Sequence, residues 1–249
     1  MNLKQTLLTF LENNLFLKNG TCPICGKVLF VTDRFLCHQC DDDLPRINNP
    51  TCVRCGRPLF RDHHDVCAPC AKLNLPFSGG YAHLNYEDSG KKLVHAIKFK
   101  DRPHLGIWVG QQIGEAIAQS DWIKDVDFII PVPLHPKRLA ERGYNQSEKI
   151  AAGILEALSQ NISEAPLLAS QILVRSRDTP HQIGQGRQER LSNLTGAFTV
   201  DQIETIQNKT ILLVDDVLTT GATLAETAAT LLEAGAAKVC IASLCAVAE

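Results

Sequence analysis

No stretch of this 249-residue chain approaches the length of apolar sequence that a membrane span needs. Net charge is also missing: 25 Lys/Arg against 27 Asp/Glu leave −2. No global field therefore draws the chain to nucleic acid or to a membrane surface, and any polyanion has to be held by a local patch. Aromatic residues make up only 6%, which offers few platforms for stacking bases. The fingerprints G-x-G-x-x-G and G-x-x-x-x-G-K-[ST] are both absent, which argues against Rossmann and P-loop nucleotide sites. The apolar-leaning segment from Leu7 to Leu17 is broken by Glu12, Asn13 and Asn14 and lacks a basic start and a small-residue cleavage site. It does not read as a signal peptide, and a cytoplasmic protein is expected.

What the chain does have in excess is cysteine, ten in all. Eight form C-x-x-C pairs within the first 70 residues: Cys22/Cys25, Cys37/Cys40, Cys52/Cys55 and Cys67/Cys70. Without an export signal, this pattern favours metal over disulfides. A C-x-x-C on a tight turn offers two thiolates to one ion, and two such turns complete a tetrahedral Cys₄ shell for Zn²⁺. The run from Thr21 to Phe30 aligns with that from Thr51 to Phe60 at an offset of thirty. The repeating unit thus contains two pairs, which suggests two successive ribbons: Cys22, Cys25, Cys37 and Cys40 in one, Cys52, Cys55, Cys67 and Cys70 in the other. Spacing alone leaves an interleaved pairing open. His38, His63 and His64 read as solvated loop residues, and Cys240 and Cys245 as core. A segment this short depends on metal for its stability. Closed Cys₄ shells leave no position for catalysis, so the ribbons serve folding, docking, or contact with DNA or a partner. Residues 1–75 carry nine Lys/Arg against seven Asp/Glu, only a slight basic excess.

The second concentrated signal runs from Ile211 to Thr223. Four apolar residues lead into Asp215-Asp216, then Val217-Leu218 and the small-residue turn Thr219-Thr220-Gly221-Ala222-Thr223. An Ala-rich helical stretch, Leu224 to Ala234, follows. Strand, acidic tip, loop and helix in that order aim backbone N–H groups and Thr hydroxyls at one point, at the positive end of a helix dipole. That point suits a phosphate, while the paired aspartates suit ribose hydroxyls or waters on a bound Mg²⁺. The run resembles the ribose-phosphate signature of type I phosphoribosyltransferases at all thirteen positions. Two acids followed by Thr-Thr-Gly-Ala-Thr are too particular for a pair that merely caps a helix.

Between these signals, Pro76 to Gly80 reads as a joint. Two domains are expected: residues 1–75, an N-terminal helix and double zinc ribbon, and residues 76–249, an α/β domain. Candidate elements in the latter are a strand at 81–86, helices at 94–100 and 106–120, and a strand at 126–130. A basic loop containing Lys137, Arg138 and Arg142 to Gln146 then precedes a helix at 147–158. Strand, loop, helix repeating in this way points to a parallel sheet with crossover helices, whose ligand sits beyond the carboxyl ends of the strands. Arg175, Arg177, Arg187 and Arg190 crowd a polar stretch with Thr179, Gln182, Gly184 and Gly186 that suits a lid. Cations from the two loops are placed to grip a pyrophosphate. Tyr144 is the one ring beside the basic loop that stands out as a stacking platform.

Taken together, the doubled ribbon, Pro131-Val132-Pro133, Arg142-Gly143-Tyr144-Asn145-Gln146, Thr179 to Gln182, Arg190 with Asn193, Gly196-Ala197-Phe198 and Asp215 to Thr223 resemble the ComF/GntX family, competence-associated phosphoribosyltransferase-like proteins. The resemblance covers nearly the whole chain. It implies a type I phosphoribosyltransferase fold that holds phosphoribosyl pyrophosphate (PRPP) with Mg²⁺, preceded by two structural zinc ions. It also implies handling of single-stranded DNA, with DNA-uptake proteins as partners, in natural transformation or DNA utilisation. On this view Asp215, Asp216, Arg142 and Arg177 carry the chemistry, and Asp215, Asp216, Thr219 to Thr223 and Arg138 hold PRPP. The family pattern establishes no acceptor, so transfer to a nucleobase or amine stands as the enzymatic alternative.

Overall fold

A computed structural model describes residues 20–29, 35–48, 50–59, 65–99, 102–177 and 196–248. The expected N-terminal helix, His63, His64, and the stretch holding Thr179, Gln182, Gly184, Gly186, Arg187, Arg190 and Asn193 lie outside the described residues.

Each ribbon opens on a knuckle. Cys22 N donates to Lys27 O at 2.8 Å and Gly26 N to Cys22 O at 2.9 Å; Cys52 N and Gly56 N repeat both bonds, each at 2.8 Å, to Arg57 O and Cys52 O. The turn requires positive φ at its glycine, 77° at Gly26 and 72° at Gly56. The second pair of each ribbon sits on one helical turn, α1 (His38–Asp42) and α2 (Ala68–Lys72), N-capped by Cys37 and Cys67.

A parallel five-stranded sheet follows. Its strands are β1 (Gly79–Asn85), β2 (Phe128–Pro131), β3 (Leu167–Leu168), β6 (Thr210–Leu218) and β7 (Lys238–Ala246), in the order β1-β7-β6-β2-β3. A separate antiparallel pair, β4 (Leu173–Arg175) and β5 (Phe198–Val200), flanks the segment expected to form a lid. α3 (Asp88–Phe99), α4 (Pro103–Ile117) and α6 (Gln146–Asn161) cover one face, and α8 (Ala222–Glu233) covers the other. The short helices α5 (Pro136–Arg142) and α7 (Ile203–Ile206) and a 3-10 turn at Asp121–Asp125 complete the described elements.

β6 explains its own position. Ile211, Leu212, Leu213 and Val214 are all fully buried, alternating between the two cores, as a central strand covered on both faces demands. On the α4 side, glycines permit unusually close helix packing. A Cβ on Gly153 would stand 2.0 Å from Ile107 O, and one on Gly110 would stand 2.1 Å from Ile150 O.

The ribbons dock on opposite faces. Cys22, Leu29, Leu36 and Leu44 join the core beneath α4, where Phe35 stacks on Trp108 at 5.7 Å. Cys52, Cys55, Leu59, Cys67 and Cys70 join the core on the α8 side. The segment between them crosses the sheet edge, with Arg46 bridging Leu84 of β1. Among the described residues, no helix is long and apolar enough to cross a membrane.

Candidate functional site

Helices leaving the neighbouring strands β2 and β6 run to opposite faces of the sheet, which opens a crevice at the carboxyl ends of those strands. β2 ends at Pro131, paired with Val214, whereas β6 continues to Leu218. Asp215 and Asp216 therefore lie within β6, just beyond the reach of β2. This corrects the sequence reading of a strand that stops at the acids. The longer strand arises because Val217 and Leu218 keep pairing with Cys245 and Ala246 of β7.

The two carboxylates have different surroundings. Asp216 is 5% exposed, and Lys98 Nζ lies 2.6 Å from its Oδ2. Asp215 Oδ1 accepts from Ser147 Oγ at 3.0 Å and from Asp216 N at 2.9 Å. Burial, then the adjacent Asp216 charge, push the Asp215 carboxyl up to about 7 against the pull of Lys98 and these hydrogen bonds. Burial lowers the Lys98 ammonium, but Asp216, through charge and hydrogen bond, and Asp215 outweigh it and leave the group above its ordinary value.

The run from Arg142 to Ser147 is used at every residue. The expected basic loop is in fact mostly helix: Pro136 sits in the first turn of α5, and Gly143, with φ of 82°, ends it. That helix puts Arg138 and Arg142 four residues apart, on one face. Arg142 donates to Gln146 Oε1 and lies 5.2 Å over the Phe99 ring. Tyr144 is buried, with its hydroxyl donating to Ile97 O, so it offers no surface to a base. Asn145 caps α6 by accepting from Ser147 N at 3.1 Å, and its amide donates to Val132 O at 3.0 Å. Ser147 completes the chain of contacts at Asp215.

At the other wall, Gly221 with φ of 82° turns β6 into α8, and Thr220 Oγ1 accepts from Ala222 N at 3.3 Å. Asp215, Asp216, Thr223, Arg138, Arg142 and Arg175 all line one cleft of about 600 Å³. Lys91, Lys92, His95 and Lys98 from α3 and its end residue Phe99, 60% exposed, line it as well. Thr219, Thr220, Gly221 and Ala222 form the adjoining turn rather than the cleft lining. Arg177 is exposed and does not line the cleft, whereas Arg175 is buried there, 5.4 Å over the Phe198 ring. Lys98 and Ser147 are thus site residues to which sequence reasoning gave no role, whereas Arg175 was expected among the lid cations and stands in the cleft wall instead. Lys98 sits among the buried Leu93, Val94 and Ile97 at helical spacing, a pattern that reads simply as the border of an amphipathic face.

The cysteines assemble as the thirty-residue repeat suggested. In each tetrad the four sulfurs lie within 4.8 Å of one another, with Cys25 and Cys37 at 3.6 Å and Cys55 and Cys67 at 3.7 Å. Tetrahedral Zn²⁺ with bonds of about 2.3 Å places sulfurs about 3.8 Å apart, so both sites fit zinc and the interleaved pairing is excluded. His38 instead pairs with Asp42 at 3.1 Å. Cys240 and Cys245 are buried in β7.

The fold and these sites define a phosphoribosyltransferase-type α/β domain carrying a double zinc ribbon. Residues 14–71 match the family described as Double zinc ribbon domain, and residues 148–249 match Phosphoribosyl transferase domain. The chain is 28% identical over 229 residues to DNA utilization protein YhgH of Escherichia coli (strain K12), covering 91% of this chain and 90% of the relative. Competence protein F of Haemophilus influenzae is 27% identical over 219 residues, 84% of this chain and 89% of that one. Competence protein ComFC of Streptococcus pneumoniae is 29% identical over 227 residues, 86% and 94% respectively. The glutamine PRPP amidotransferase of B. subtilis, solved with ADP and GMP, overlaps 60% of this chain and 30% of its own, at 18% identity and a TM-score of 0.39. The chain is similar to these DNA-utilisation and competence proteins along most of its length, in agreement with the resemblance to the ComF/GntX proteins seen in its motifs.

Proposed function

We propose that the cleft binds PRPP, or a related ribose phosphate, together with Mg²⁺, and that the protein serves DNA uptake or utilisation, the process its relatives are named for. One observation carries the reading: a carboxylate pair in the central strand, just beyond the end of β2, faces a cationic wall across a cleft of about 600 Å³, with the Thr219–Thr223 turn at its edge. Asp215 and Asp216 hold the ribose hydroxyls. Thr219, Thr220, Gly221, Ala222 and Thr223 hold the 5′-phosphate at the α8 N-terminus. Arg138 and Arg142 meet the pyrophosphate, joined by Arg175 and Lys98 from the cleft wall and by Arg177 from the segment beyond it. Mg²⁺ supplies neutralisation of the pyrophosphate charge. The ribbon module, residues 1–75, binds two structural zinc ions. Its eight thiols in metal tetrads suit the reducing cytoplasm.

Calorimetry of the zinc-loaded chain with PRPP and MgCl₂ tests the pocket. Saturable heat that is lost in Asp215→Asn/Asp216→Asn supports it; no heat with the unaltered chain overturns it. Pyrophosphate release that depends on an added nucleobase, amine or oligonucleotide would make the protein a phosphoribosyltransferase and identify the acceptor.

A second reading, direct binding of single-stranded DNA, draws on the rim of the same cleft. Lys91, Lys92 and His95 line the same cleft as the exposed ring of Phe99, which lies 4.8 Å from the His95 ring, so phosphate-seeking charge and a stacking surface share one rim. Oligonucleotide binding that weakens steeply with salt supports it, and salt-independent or absent binding removes it.

A further inference from the structure

We infer that Arg57, supplied by the second zinc ribbon, is a positioning residue for the Thr219–Thr223 turn. The fold of that ribbon then sets how firmly the turn holds a sugar phosphate, an inference that rests on the pocket proposed above. Arg57 lies 190 and 162 residues away from its two partners: one guanidinium nitrogen donates to Val247 O at 2.9 Å and the other to Thr219 O. Thr219 O belongs to the peptide that opens the turn, and Val247 follows β7, whose end lies beside the end of β6. Arg57 thus ties the turn to the neighbouring strand from outside the sheet. Val247 N donates to Leu218 O at 2.9 Å and closes the same frame from within.

The ribbon fixes this arginine at its backbone. Arg57 O accepts from Cys52 N at 2.8 Å, inside the knuckle that bears Cys52 and Cys55. The knuckle is pressed onto β1 closely enough that a Cβ on Gly56 would stand 2.5 Å from Ala82 N, and one on Gly80 would stand 2.7 Å from Cys55 Cα. Leu75, at the end of the ribbon, reaches to 3.4 Å from where a Gly221 Cβ would be. The first ribbon provides an internal comparison. Its equivalent of Arg57 is Lys27, which is exposed and, among the described residues, reaches Gln39 Oε1 at 3.4 Å. Only the second repeat has its basic residue turned into the α/β domain.

A buried cation is an expensive way to fill space. Arg57 is 5% exposed, and none of the ion pairs among the described residues includes it. Its bond to Thr219 O polarises that peptide and makes the following N–H a better donor. Its charge also adds to the positive end of α8, which favours an anion at the turn.

The test uses the full chain with both zinc ions bound, comparing Arg57→Met, Arg57→Lys and, as control, Arg102→Met, which cuts the first ribbon's bonds to Thr21. Hydrogen exchange of the amides from Thr219 to Thr223 is measured without ligand. PRPP affinity with MgCl₂ is measured by calorimetry. Arg57→Met is expected to speed exchange in the turn about tenfold and to weaken PRPP about tenfold, the scale of one lost charge-assisted hydrogen bond. Arg57→Lys is expected to restore part of both, and Arg102→Met to change neither. Wild-type exchange in the turn of Arg57→Met, or an equal effect from Arg102→Met, overturns the inference. Should Arg57→Met lose zinc, Arg57→Lys decides: with both ions bound it shows faster exchange than wild type, and identical exchange sinks the idea. If the unaltered chain gives no heat with PRPP, the pocket reading fails while the exchange data still judge Arg57.

Discussion

Lys98 Nζ and Asp216 Oδ2 stand 2.6 Å apart in the cleft, joining the last turn of α3 to the central strand of the sheet. The carboxylate side is almost wholly buried, while the lysine keeps a quarter of its side chain in solvent. Removing one partner of such a pair costs more than the pair itself contributes, because the remaining charge is left without compensation.

Lys98→Met is therefore expected to lower unfolding free energy by about 2–3 kcal/mol, and Asp216→Asn in the same chain to recover at least half of that loss. Urea denaturation of both single variants and the double variant checks the coupling. Additive losses would show that the two groups do not interact.

Asp215 predicts a pH dependence whose sign follows from its raised pKa. The folded carboxyl titrates at about 7, and the unfolded one near 4. Between those values the folded chain retains a proton that the unfolded chain has released, so this group's contribution to stability falls as pH rises from about 4 to 7. Asp215→Asn removes the slope, and the variant should gain on the wild type with rising pH and hold that gain above pH 7. The same carboxyl should release a proton when PRPP and Mg²⁺ bind at pH 6, seen as a buffer-dependent calorimetric heat.

The two zinc sites should part with metal at different rates. Cys25 is exposed and Cys37 and Cys40 are half-buried, whereas Cys52, Cys55, Cys67 and Cys70 are all buried. Zinc release to a chromogenic chelator is expected in two phases of equal amplitude. Cys25→Ser should abolish the fast phase and leave the slow one. A single phase for both ions would contradict the assignment.

Helix propensity and packing make opposite demands at Gly110. Alanine is favoured over glycine within a helix by about 1 kcal/mol. A Cβ there would meet Ile150 O at 2.1 Å, backbone that cannot yield without shifting α6. Overpacking of this kind costs about 1–3 kcal/mol, so Gly110→Ala should be net destabilising in thermal melts. Stabilisation would mean that α4 and α6 have room to part.

Much of this architecture was legible because local pattern and tertiary role coincide. The thirty-residue cysteine repeat pointed to both tetrads, with only an interleaved pairing left for the structure to exclude, and the apolar run Ile211 to Val214 marked the central strand. Tertiary contacts were not legible in the same way. Val217 and Leu218 extend β6 only because β7 continues beside them, and Pro136 starts a helix where clustered charge reads as loop. Tyr144, singled out as a stacking platform, is instead buried with its hydroxyl bonded to Ile97 O. Arg57 differs from Lys27 by nothing that the repeat displays; only docking of the second ribbon distinguishes them.

With Tyr144 turned inward, Phe99 is the ring that offers a stacking surface at the cleft. Its ring is exposed at the cleft rim, with His95 4.8 Å away and the Arg142 guanidinium 5.2 Å over it. Loss of one base–aromatic stack costs about 1–3 kcal/mol, so Phe99→Ala should weaken binding of a short single-stranded oligonucleotide about tenfold or more. Lys91→Gln and Lys92→Gln together should act differently, flattening the salt dependence of binding by about one to two units of slope. Fluorescence anisotropy across a salt series separates the two effects. Phe99→Ala should lower every point equally, because the ring carries no charge, whereas the lysine variant should converge on wild type at high salt. If Phe99→Ala leaves affinity unchanged while PRPP binding persists, DNA does not enter by this rim.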